Sequence, residues 1–272
     1  MDDRRSDLGE FPEKMHEFVD RLQASGRYTF TGKETAEVLG RSAVAREAAL
    51  RRLKKSGRIV SPRRGFFVIV PIEYRPVGSP PPTWFIDQLM ASLDQAYYVG
   101  LLTAAEIHGA AHQRPQVFQV VTEVATRPVE VARIRIEFHR NRNLHGVPLE
   151  RFNTETGTML VSTPEATAID LIRYSEACGH LDNVATVLVE LAERIDAAKL
   201  ARLAAKAPAA AVQRLGYLLE RLGLAELAEP LAEVINSRRK RAVLLRPDLD
   251  EGSPGHDPRW YVIANQEIES EI

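Results

Sequence analysis

The chain has 272 residues, with 36 Lys and Arg against 37 Asp and Glu, 44% hydrophobic residues and one cysteine, the composition of a globular protein of more than one domain. Cys178 alone can form neither an internal disulfide nor a cysteine zinc site, and no apolar run reaches the roughly 20 residues that span a bilayer. The charged start MDDRRSDLGE lacks the apolar segment of a signal peptide, so no membrane is expected as partner and the cytoplasm is the expected compartment.

The near-neutral total conceals a division. Residues 1–80 hold 16 basic and 11 acidic side chains, and residues 33–64 hold ten basic against three acidic (Glu34, Glu37, Glu47). Such asymmetry suits a nucleic-acid-binding module joined to something else, although a solvated basic helix produces the same count.

Phe11 to Ser25 spaces Phe11, Met15, Phe18, Val19 and Leu22 by threes and fours, an amphipathic helix stopped by Gly26. Thr31-Gly32-Lys33-Glu34 reads as a capping box opening a short helix through Leu39, which Gly40 ends. Ser42 caps a third helix to about Ser56, with Ala45, Ala49, Leu50 and Leu53 inward, and Gly57 closes it. Arg58–Ser61 and Phe66–Val70 then read as two strands about the basic turn Pro62-Arg63-Arg64-Gly65. Three helices followed by a basic-tipped hairpin describe a winged helix-turn-helix, whose second motif helix enters the DNA major groove. Winged helices also dock proteins, and that alternative stays open.

Five prolines between Pro71 and Pro82, with Gly78 and Ser79, mark a semi-rigid spacer. The expected organisation is a DNA-binding domain over 1–75, a linker over 76–82 and a C-terminal domain over 83–272. In that domain, helices are expected from Thr83 to Leu93 and from Tyr98 to His108. Strands follow at 117–121, 131–139, 149–153 and 158–161, a sheet spanning about 116–161. Pro164 opens a helical stretch to about 236, with helices near 181–195, 197–206, 209–222 and 224–236. Val243–Leu245 and a strand at Trp260–Ile263 close the pattern, and the fold class expected is α+β.

On the third helix, Arg41, Ser42 and Arg51 are candidates for groove contact, because free backbone N–H groups and the helix dipole favour phosphate at that end. Arg52, Lys54 and Lys55 are candidates for backbone contact, and Arg46 borders the inner face with its guanidinium able to reach out. Outward Ala43, Val44 and Ala48 allow close approach and contact with thymine methyl groups. Arg63 and Arg64 would carry the wing tip to the backbone or minor groove. Arg133, Arg135, His139, Arg140 and Arg142 form a second basic stripe, either an exposed strand face paired with local acids or a further contact to nucleic acid or an acidic partner.

Chemistry is sparse. His108 and His112 are four apart, but Gly109 interrupts their helix, so no metal is expected. There is no Gly-x-Ser-x-Gly and no glycine-rich phosphate loop, Cys178 lies in an apolar phase, and Glu123, Glu130 and Glu137 lack nuclease spacing. Neither an enzyme nor a cofactor is expected.

Several stretches resemble the AbiEi family of antitoxins and transcriptional regulators from type IV toxin-antitoxin systems. They are GRIVSPRRGFFVIVP (57–71), YYVGLLTAAEIHGAAHQRPQVFQVVT (97–122), STPEATAIDLIRY (162–174), RLGYLLERLG (214–223) and the closing DPRWYVIANQEIE. The resemblance implies an N-terminal domain that binds inverted repeats in double-stranded DNA and represses its own operon. It also implies a C-terminal domain that counters a nucleotidyltransferase-type toxin without necessarily binding it stably. Arg46 departs from the family, which commonly carries an apolar residue there. Two other readings remain: a protein-binding module that holds the toxin directly, and a nuclease targeted by the winged helix.

Overall fold

The computed structural model describes residues 14–39, 42–110, 115–239, 241–249 and 255–268. It is an α+β protein that divides into two units. The first ends at Gln95 and takes in Pro128–Arg135 and Asn153–Thr158, and the second comprises Ala96–Arg127, Ile136–Phe152 and the chain from Met159.

The first unit begins with α1 (Met15–Ala24), β1 (Thr29–Thr31), α2 (Gly32–Leu39), α3 (Ala43–Lys55), β2 (Ile59–Arg63) and β3 (Phe66–Ile69). Met15, Phe18, Val19 and Leu22 bury one face of α1, as their spacing predicts, while Phe11 lies outside the described residues. The predicted capping box forms: the Thr31 N–H donates to the Glu34 carboxylate at 2.7 Å and the Glu34 N–H to the Thr31 hydroxyl at 3.2 Å. Burial raises the Glu34 pKa, but these bonds and the Arg27 guanidinium outweigh it and hold the carboxyl below its usual range. Thr31 also ends a strand that the sequence reading omits. β1 pairs antiparallel with β3, giving the order β1-β3-β2. The core joins α1 and α3 to this sheet, with Phe30 stacked on Phe67 at 5.1 Å and edge-on to Phe18 at 5.5 Å.

The proline-rich stretch folds into 3-10 turns at Ile72–Tyr74 and Pro82–Trp84, followed by α4 (Ile86–Ser92) rather than one helix from Thr83. Tyr28 and Tyr74 both meet the Trp84 ring edge-on, at 4.9 and 5.2 Å, so the prolines lead into an aromatic platform within this unit.

A six-stranded mixed sheet follows, built from β4 (Tyr97–Val99), β5 (Phe118–Thr122), β6 (Val129–Val131), β7 (Ile134–Arg140), β8 (Leu149–Thr154) and β9 (Gly157–Ser162) in the order β6-β7-β5-β4-β9-β8. Two sequence readings are corrected here. Tyr98 lies in a strand and the helix starts only at Leu101, as α5 (Leu101–Ile107), because a short strand buried on both faces shows no alternation. The single strand expected at 131–139 is a hairpin turning at Ala132-Arg133.

α6 (Pro164–Arg173), α7 (His180–Leu191), α8 (Ala197–Ala204), α9 (Ala209–Arg221) and α10 (Ala225–Asn236) then pack into the core of the second unit, close to their predicted spans. A small sheet of β10 (Val243–Leu244), β11 (Gly255–Asp257) and β12 (Val262–Ala264), ordered β10-β12-β11, returns the chain to α9. No helix of the described residues is long and apolar enough to cross a membrane.

Candidate nucleic-acid interface

The α3 helix presents its polar face because its apolar one is short. Ala49 and Leu53 are buried, Leu50 partly so, and Ser42 caps the first turn by accepting the Ala45 N–H at 3.3 Å. Ala45 is exposed, against expectation, and Ala48 is partly buried: the first turn projects past the packed face, which begins only at Ala49. Val44, 77% exposed, shares an outward stripe with Ala48, Arg51 and Lys55 at helical spacing, flanked by exposed Arg52. Arg46 falls between Leu50 and Leu53 in helical phase and is half-buried, so a polar head stands where an apolar residue would pack more fully. Lys54 lies over the Phe67 ring, 5.0 Å from its centroid, and thereby ties the end of α3 to the hairpin. Arg41 lies outside the described residues.

The hairpin is shaped by two residues. Pro62 sits in a bulge where the register shifts between Val60 and Arg63, so its missing N–H costs no ladder bond. Ser61 bridges the bulge, its hydroxyl placed on the carbonyls of Arg63 (2.8 Å) and Phe66 (3.0 Å). Gly65, at φ +80°, makes the tight turn that leaves Arg64 exposed and Arg63 half-buried. Gly32 donates to the Gly65 carbonyl at 2.8 Å, which fixes the hairpin tip against the start of α2. Ser42, Arg51, Arg52, Lys54, Lys55, Arg63 and Arg64 thus belong to one small sheet-and-helix assembly.

The second basic stripe is divided. Arg133 and Arg135 belong to the first unit, where Arg135 pairs with Glu130 at 3.4 Å, whereas Arg140 and Arg142 belong to the second, with Arg140 donating to the Glu123 carbonyl at 3.2 Å. His108 contacts the Ser162 carbonyl through Nε2 at 2.7 Å, and His112 lies outside the described residues. Cys178 is fully buried in a 3-10 turn, and burial pushes its thiol up to about 12.

The sequence reading missed a buried polar cluster in the second unit. Tyr98 of β4 donates to Asp170 of α6 at 2.6 Å, and Arg173 reaches both Asp170 and Asn141 at 3.3 Å. Asn141 in turn donates to the Tyr98 oxygen at 3.4 Å. Burial pushes the Asp170 carboxyl up to about 6, and burial beside Asp170 also raises the Tyr98 hydroxyl. The signal was available: Asp170 interrupts the apolar run Ala168, Ile169, Leu171, Ile172, where a carboxylate needs partners.

These contacts join the stretches whose wording suggested a family. The 97–122 and 162–174 segments meet through Tyr98–Asp170 and the parallel pair Val99–Val161, and 214–223 meets the closing segment through Arg259–Glu220 and the packing of Gly216 on Trp260. Residues 98–221 match the family model of the AbiEi antitoxin C-terminal domain, a class of antitoxin domain. That stretch is thus an AbiEi-type antitoxin domain by its match to the family model. The crystal structure of the RV2827C protein from Mycobacterium tuberculosis is similar in fold, with a TM-score of 0.64 at 16% identity over 90% of this chain and 89% of that one. Among curated proteins, none matches the sequence.

Proposed function

We propose that the chain is a sequence-specific DNA-binding antitoxin that represses its own operon and counters a nucleotidyltransferase-type toxin. In this reading the N-terminal residues to about 75 are a winged helix-turn-helix, residues 76–82 lead out of it, and the remainder is the antitoxin domain. The observation that carries the DNA-binding part is the order α1-β1-α2-α3-β2-β3, with the exposed basic face of α3 beside a hairpin tipped by Arg63 and Arg64. Arg41, Ser42 and Arg51 read the groove, while Arg46, Arg52, Lys54, Lys55, Arg63 and Arg64 neutralise phosphate. The antitoxin part rests on the match over 98–221, and neither part requires catalysis.

A gel-shift titration against the DNA upstream of the gene, at two salt concentrations with scrambled competitor, tests this. Specific binding that weakens by roughly 0.9 log units per phosphate contact per log unit of salt is expected. Equal, weak binding to both DNAs would reduce the winged helix to a docking module, and stoichiometric co-purification of a toxin would then favour direct capture.

A further inference from the structure

The described cavity of the second unit, about 290 Å³, opens where the loop after β7 meets α6 and the end of α8. Val147, Ile169 and Leu203 supply an apolar lining, and Asp170, Arg173 and Lys206 are its ionisable residues. Asp170 is committed to Tyr98 and Arg173, and it offsets the Arg173 charge. Lys206 is exposed and makes no ion pair among the described residues, so the lining carries one net positive charge. The volume falls at the lower end of the ~300–1,000 Å³ typical of ligand sites, the size class of a small ligand.

We propose that this cavity binds a carboxylate borne on a short apolar stem. The apolar lining takes the stem, and Lys206, with the guanidinium edge of Arg173 not used by Asp170 and Asn141, takes the carboxylate. A single net charge matches a monoanion better than phosphate, and the lining favours an organic anion over an inorganic one. Two sources share this chemistry: a free short-chain acid and an acidic side chain of a protein partner. The proposal stands apart from DNA binding, because ligand binding in this cavity is measured without DNA.

The test is an NMR titration of the full-length ¹⁵N-labelled protein with hexanoate, hexan-1-ol and inorganic phosphate, repeated with Lys206→Ala. Saturable hexanoate binding that shifts the amides of residues 143–147 and 203–208 is expected, weakened about tenfold by Lys206→Ala and by replacing the acid with the alcohol. Lys206 is exposed, so the variant keeps the fold, which its unchanged spectrum verifies. No saturable binding, equal affinity for hexanol or phosphate, or indifference to Lys206→Ala overturns the proposal. In a further arm, a blocked acetyl-Leu-Glu-Leu-amide peptide that displaces hexanoate assigns the site to a protein side chain, and one that fails to displace it assigns the site to a free acid.

Discussion

Asp170 and Gly216 show how much single residues decide in the second unit. Asp170 has a folded-state pKa raised to about 6 from 3.8, so the native state holds the proton more tightly than the unfolded chain. Its contribution is therefore fully present below the unfolded pKa and declines as pH rises through the window to 6, at about 1.4 kcal/mol per pH unit. Urea melts at pH 4, 5, 6 and 7 should show the stability advantage over Asp170→Asn shrinking across that range and then levelling, and a flat difference would remove Asp170 from the ledger of pH effects. At Gly216 an added Cβ would lie 2.0 Å from the Trp260 ring, which is itself fully buried. Gly216→Ala must displace that ring, at a cost of roughly 3 kcal/mol. The chain has two tryptophans, so a Trp84→Phe background reports the displacement as a red shift of Trp260 emission alongside a lower urea midpoint.

At the scale of elements, the hairpin and α3 divide the labour of the proposed DNA contact. Changing Arg63 and Arg64 together to Ala should weaken binding to operator and random DNA alike, because a turn that touches phosphates reads no sequence. Arg51→Ala should instead narrow the gap between operator and random DNA, by about 1–3 kcal/mol if it holds a guanine edge. Competition gel shifts separate the two patterns, and an unchanged affinity on losing both wing arginines would sink the assignment of the hairpin. Helices were legible in the sequence because a stripe such as Met15, Phe18, Val19, Leu22 repeats for several turns, and a cap such as Thr31–Glu34 is local. β1 and β4 escaped because each has only three residues, too few for a period to show, so their strand character exists only through partners far along the chain, Val68 for Thr29 and Val121 for Tyr98. The basic face of α3 could be read from helical phase once the helix was placed, except at Ala45, where the phase is right but no neighbour among the described residues buries the side chain. The cluster around Asp170 needed the fold, since Tyr98 and Asn141 lie 72 and 29 positions away.

For the molecule as a whole, the proline-rich stretch has two roles that composition alone does not separate. Prolines 80–82 lead to Trp84, and Trp84 packs on Tyr28 of the N-terminal helices' own unit. A fragment ending at residue 75 lacks that ring, while one ending at 95 retains it, so the longer fragment should melt several degrees higher by circular dichroism, and equal midpoints would show the aromatic platform to be dispensable. In the second unit the closing segment completes the core rather than trailing from it. Gln213 of α9 donates to the carbonyls of Arg241 and Trp260, at 2.8 and 2.9 Å, and Trp260 fills the space above Gly216. During synthesis α9 therefore emerges some forty residues before the ring that seals it, and a ribosome stalled in that interval holds an antitoxin domain whose apolar interior is open to chaperones and proteases. A chain that stops short of Trp260 thus leaves uncovered the apolar surface of α9 that the ring would close.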